Sequence, residues 1–107
     1  MDDKQYSYDT LTEAINGLKQ RGYTHDFELE FDAIIHRRGQ DTPVRYKHDE
    51  FEVHEVYRFE GMSSTDDNSV LFAIENKEGH RGLLIDAYGV YAEKLSEDMI
   101  RKLKIYY

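Results

Sequence analysis

Apolar and polar positions alternate along two stretches of this chain and recur at helical spacing in two others. In "TLTEAINGLKQRGY", residues 10–23, Leu11, Ala14, Ile15 and Leu18 fall at i, i+3, i+4 and i+7, which lines one face of an α-helix. Thr10 and Glu13 stand at capping-box spacing and Gly22 at the position that ends such helices. The pattern predicts an N-terminal helix whose apolar face needs a partner. Gly17 inside it costs about 1 kcal/mol relative to Ala. Close packing at Gly17 and a weak helix centre are both open readings.

"FELEFDAII", residues 27–35, alternates, with Phe27, Leu29, Phe31, Ala33 and Ile35 on one side and Glu28, Glu30 and Asp32 on the other. This predicts a strand with one wet face. "FEVHEVYRFE", residues 51–60, sets Phe51, Val53, Tyr57 and Phe59 against Glu52, His54, Arg58 and Glu60. Its phase breaks at Glu55 and Val56, where a β-bulge is expected. "SVLFAIE" and "GLLIDAYGVY" are more uniformly apolar and read as central strands, joined through "NKEGHR" with the turn formers Asn76 and Gly79. "LSEDMIRKLK" predicts a short closing helix. Ser96 is its N-cap, Leu95 and Ile100 have staple spacing, and Arg101, Lys102 and Lys104 occupy its last turn.

Helix, four strands, helix is the order that results. It predicts a single α+β domain over residues 1–107. The expected architecture is a two-layer fold, a four-stranded, mainly antiparallel sheet carrying the N-terminal and C-terminal helices on one face. Residues 37–50, "RRGQDTPVRYKHDE", read as the one long irregular stretch and contain the sole proline, Pro43.

Composition narrows the function. Twenty-two acids against fourteen Lys and Arg give a net charge of −8, a field that disfavours nucleic acid and anionic lipid. With no cysteine, disulfides, thiol nucleophiles and thiolate metal sites are excluded. The start, "MDDKQYSYDT", carries no basic segment followed by an apolar one, and the longest clearly apolar run is Val70 to Ile74. A cytoplasmic protein with no membrane partner is the expectation.

Four features carry candidate chemistry. Asp66 and Asp67 in "SSTDDNS" read as the polar connection of a hairpin, with a ligand role as the alternative. Arg37, Arg38, Arg45 and Lys47 form a basic island in an acidic chain. Its open readings are a solvated or internally paired loop, a protein contact, and a receptor for a small anion through the planar Arg fork. Asp86 lies in a predicted central strand, where burial raises a carboxyl pKa and suits a general base; a structural hydrogen bond is the alternative. Tyr6, Tyr8, Tyr57, Tyr88, Tyr91, Tyr106 and Tyr107 suit half-buried packing or a contact surface. The five histidines, His25, His36, His48, His54 and His80, show no metal-binding spacing, so no metal and no cofactor are expected.

"YDTLTEAINGLKQRGYTHDF", "VYRFEGMSSTDDNSVLFAIE" and "GLLIDAYGVYAEKLSEDMIRKL" together resemble a family of small bacterial proteins of about this length. Its members often carry the label phosphoribosylpyrophosphate synthetase. The resemblance covers most of the chain outside the first residues and 37–50, and it implies a family rather than a mechanism. A phosphoribosyl-binding loop follows its paired acids with Thr and Gly, whereas Asn68, Ser69 and Val70 follow Asp66 and Asp67 here. The expected function is a non-catalytic binding module, acting on a protein partner or on a second copy of itself. The alternative is a binder of, or enzyme for, a small phosphorylated metabolite.

Overall fold

The computed structural model describes residues 8–36, 42–59, 69–87 and 95–103. Helix α1, Leu11–Gln20, forms as its pattern predicts. Thr10 is extended and its hydroxyl accepts from the Glu13 amide at 3.1 Å. The Glu13 carboxylate reaches back one residue further, to the Asp9 amide at 2.9 Å. At the other end Gly22 takes φ +106°, and the amides of Gly22 and Tyr23 bond the carbonyls of Lys19 and Leu18. This is a Schellman cap, and its left-handed position is why glycine stands there. Gly17 is closely packed: a Cβ there would lie 2.6 Å from the Tyr8 ring.

Six strands are present among the described residues: β1 (His25–Glu30), β2 (Ala33–His36), β3 (Val44–Lys47), β4 (Phe51–Phe59), β5 (Ser69–Asn76) and β6 (Arg81–Ala87). They form one sheet in the order β3-β2-β1-β6-β5-β4. A 3₁₀ turn, His48–Glu50, precedes β4, and helix α2 spans Glu97–Leu103. The sheet is two antiparallel meanders, β1–β2–β3 and β4–β5–β6, joined by one parallel pair, β1 with β6. That seam is narrow, pairing His25, Asp26 and Phe27 with Gly82, Leu83 and Leu84. Gly82 is required by the close approach, since a Cβ there would lie 2.3 Å from the His25 carbonyl oxygen.

Four strands were expected from the pattern, and the structure corrects this to six in a mixed, mostly antiparallel sheet. The apparent single strand at 27–35 is a hairpin turning at Phe31 and Asp32, with Glu30 opposite Ala33. A two-residue turn inverts the parity of the faces. Leu29 therefore shares a face with Ile34, and Phe27 with His36, so the unbroken alternation ran through a turn. Phe31 sits at its tip, 62% exposed. The sixth strand, β3, comes out of the stretch that read as irregular.

The helices lie on opposite faces of the sheet, not on one. In β5, Val70, Phe72 and Ile74 join Met99 and Leu103 of α2 in one core, together with Phe27, Ile34, Tyr46, Phe51 and Leu84. The alternate residues Leu71 and Ala73 join Ala14 and Leu18 of α1 in a second core with Tyr23, Tyr57 and Leu83. A strand covered on both sides has to be apolar at successive positions, which accounts for the run Val70 to Ile74. Ser96 caps α2, its hydroxyl accepting from the Met99 amide at 3.2 Å. The Ser96 amide bonds the Phe31 carbonyl at 2.8 Å, tying the helix entry to the β1–β2 turn. No helix among the described residues is long and apolar enough to cross a membrane.

Candidate functional site at the β4 bulge

The expected bulge in β4 exists, one residue earlier than the pattern placed it. Val53 pairs with Ile74 and Glu55 with Ala73, leaving His54 as the extra residue. An inserted residue shifts the facing of everything after it. Val53 and Val56 thus pack toward the α2 core, while Glu55 is delivered to the α1 side, where Tyr57 belongs to the other core.

The residue that ends α1 meets it there. Arg21 grips Glu55 through both ends of its fork, Nη1 to Oε2 at 2.9 Å and Nη2 to Oε1 at 2.6 Å. The Tyr57 hydroxyl also donates to Glu55 Oε1, and Tyr8 and Tyr57 pack edge to face at 5.2 Å. The Arg21 hydrogen bonds hold the Glu55 carboxyl below the usual carboxylate range, against the opposing effect of burial. The same pairing holds Arg21 above its ordinary value. Burial, and then the Glu55 carboxylate, push Tyr57 up.

A second chain of contacts leaves the bulge through His54. Its Nδ1 lies 2.8 Å from the Tyr23 hydroxyl and its Nε2 3.4 Å from Glu75 Oε1. Arg81 bonds the same Glu75 oxygen at 3.2 Å and sits over the Tyr23 ring at 5.7 Å. Tyr23 is pushed up, chiefly by burial.

Two depressions open beside the bulge and share Glu52 and His54. One, of about 530 Å³, runs between β4 and the end of α2, with Val53, Val56, Arg101 and Lys102 in its wall. The other, of about 280 Å³, continues past Glu50, Glu75 and Lys77. The cations of the larger cleft have acidic neighbours: Arg101 pairs with Asp98 at 3.3 Å, and Lys102 with Glu52 at 3.7 Å.

Of the residues singled out by sequence, Arg45 and Lys47 lie away from this place. Arg45 lies in β3, bonded to Glu30 at 2.6 Å and Asp32 at 2.9 Å within its own meander. Lys47 ends β3, exposed, and its backbone amide donates to Glu50. Arg37, Arg38, Asp66 and Asp67 lie outside the described residues. Asp86 stands opposite Val70 in β6, and its side chain is likewise outside the description. Of the tyrosines offered as contact groups, only Tyr8 and Tyr57 are described, and Tyr57 is buried in the core.

Sequence reasoning missed a cluster of three histidines at the seam. His25 of β1, His36 of β2 and His80 of the β5–β6 turn have ring centroids 4.8 to 5.1 Å apart. His36 Nε2 and His25 Nδ1 are 3.0 Å apart. No spacing rule reveals this, because the three meet only when β1 pairs with β6. Among the described residues, no three His, Asp or Glu side chains are arranged to hold a metal ion. No protein-family model, curated protein or solved structure matches the chain.

Proposed function

We propose that the protein is a binding module without catalytic activity, which seats a segment of another polypeptide in the cleft between the β4 bulge and α2. The electrostatics of the described residues supports the non-catalytic part: the six pKa shifts resolved among them run toward the ordinary resting charge. Glu50 and Glu55 are lowered, Lys77 and Arg21 raised, and Tyr23 and Tyr57 raised. Catalytic groups are tuned toward the working pH instead.

The cleft supports the polypeptide reading. It is about 530 Å³ and is lined by the apolar Val53, Val56 and Leu103 and by charges of both signs from Glu52, Arg101 and Lys102. Mixed charge around an apolar strip matches a peptide surface better than a phosphate, which favours convergent cations. A small-anion reading rests on Arg101 and Lys102, both in the lining of that cleft. A phosphate there would have to displace Asp98 and Glu52 from them.

The test is a ¹⁵N NMR titration of the charge-reversed variant K102E and the unaltered protein, each at increasing concentration and each against a panel of phosphorylated metabolites. Self-association with shifts confined to Glu52–Val56 and Arg101–Leu103, lost in K102E, supports a second copy as the polypeptide. Saturable shifts there with one metabolite transfer the cleft to the small-anion reading. Turnover of any panel compound overturns the non-catalytic reading.

A further inference from the structure

We propose that the segment seated in the cleft between β4 and α2 is the β1–β2 turn of a second copy of this chain, with Phe31 as its anchor. The inference rests on the reading of that cleft as a polypeptide site and names the polypeptide.

Phe31 serves neither its turn nor the core. Two-residue hairpin turns favour Asn, Asp and Gly, yet this one is made by Phe31 and Asp32, and the Phe31 side chain stays 62% exposed. Among the described residues, only Ile85 is a comparably exposed large apolar group. The turn is nonetheless fixed in place, because the Phe31 carbonyl accepts from the Ser96 amide at the entry to α2 at 2.8 Å. An aromatic ring on a held backbone loses little freedom on binding, as interface anchors require. Acids flank it on both sides. Glu30 and Asp32 are 44% and 43% exposed and share one cation, Arg45, so the tip offers a ring with one negative charge in excess.

The cleft offers the complement. Val53 and Val56 give it a partly buried apolar wall, and its volume of about 530 Å³ lies in the range of sites that enclose a ligand group. Arg101 and Lys102 line it against Glu52, since Glu55 is held by Arg21 on the α1 side. Lys102 is the better receptor of the two cations. Its side chain is only 21% exposed and lies over the Phe51 ring at 5.4 Å. The carboxylate beside it, Glu52 at 3.7 Å, is beyond hydrogen-bond range and 76% exposed. Arg101 is already engaged along its own helix, by Asp98 at 3.3 Å and Glu97 at 3.5 Å. Lys102 is therefore the group that meets Glu30 or Asp32 of the second copy while Phe31 enters beside Val53 and Val56.

A chain cannot fill its own cleft. Its turn is tied to the start of α2 while the cleft lies at the end, and β1 is three strand spacings, about 14 Å, from β4. Tip and cleft are different surfaces, so the contact runs head to tail and either closes into a ring or continues. The net charge of −8 repels copies at long range. Association thus depends on the short-range burial of Phe31 and its neighbour's pairing with Lys102.

Sedimentation velocity of the full chain over a concentration series provides the test. The unaltered chain should grow beyond a dimer, because each added copy still presents a tip at one end and a cleft at the other. Phe31→Ser, with the tip lost, and Lys102→Glu, with the cleft altered, should each associate at least about tenfold more weakly. An equimolar mixture of the two should form a one-to-one dimer that grows no further. Phe31 contributes little to its own core, so loss in that variant is not loss of folding. Association that survives in Phe31→Ser overturns the inference; if Lys102→Glu abolishes it, the cleft keeps its polypeptide role through another segment. Association lost in Phe31→Ser but kept in Lys102→Glu moves the tip to another surface and overturns it too. A mixture that stays monomeric does the same, since a two-fold contact would need one intact patch on both copies. A monomeric unaltered chain overturns this inference alone, whereas the cleft reading itself falls only when a phosphorylated metabolite claims the shifts at Glu52–Val56 and Arg101–Leu103.

Discussion

Arg21 and Glu55, 34 residues apart, meet fork to fork at 2.6 and 2.9 Å and fasten the end of α1 to the bulge of β4. The pair is about three-quarters buried on each side, where a bidentate charge-assisted bond outweighs a surface pair. Arg21→Met combined with Glu55→Gln in a double-mutant cycle should give a coupling of about 1–2 kcal/mol in urea unfolding. The acid dependence follows from the lowered Glu55 carboxyl. With its folded pKa below the unfolded value, its contribution is complete above roughly pH 4.3 and is lost as pH falls through the lowered value. Glu55→Gln should flatten the acid limb of the stability profile in that range.

Gly82 carries a different kind of constraint. Its missing Cβ leaves room for the His25 carbonyl, backbone against backbone, since a Cβ there would lie 2.3 Å from that oxygen, so Gly82→Ala forces the seam apart. A loss of about 3 kcal/mol or more is expected by chemical denaturation. Gly79 has φ +90° with nothing within 4 Å of a Cβ. Gly79→Ala should therefore cost only the left-handed backbone penalty, about 1–2 kcal/mol.

Neighbouring residues of β5 serve separate cores. Phe72 belongs to the α2 side and Leu71 to the α1 side, and both are fully buried. Phe72→Ala should cost about 3–5 kcal/mol and Leu71→Ala about 2–5 kcal/mol. Since the strand backbone separates them, ¹⁹F probes on α2 should respond to the first substitution and ¹⁹F probes on α1 to the second.

Arg45, prominent in the sequence as part of a basic island, is half exposed and held by Glu30 and Asp32. Arg45→Ala should change stability by no more than about 1 kcal/mol. Ligand-induced shifts at the β4 cleft should be unaffected, which an NMR titration of the variant checks.

Local chemistry alone determined several parts of this molecule. The caps of α1 at Thr10 and Gly22, the Ser96 cap of α2, the turn at Asn76 and Gly79 and the double-sided burial of Val70 to Ile74 all follow from neighbours within one or two turns of chain. So does the presence of a bulge in β4, because an extra residue breaks the period of two.

Three features were decided only by tertiary structure. The hairpin at Phe31–Asp32 escaped the pattern because a two-residue turn swaps the faces while alternation continues across it. The helices went to opposite faces because β5 is apolar on both, and no periodicity says which helix takes which side. The histidine cluster and the Arg21–Glu55 pair join residues from separate elements, and the pairing of β1 with β6 and the docking of α1 bring them together. A single strand of sequence records which side chains want burial or a partner; which partner each finds depends on the order in which the strands are laid side by side.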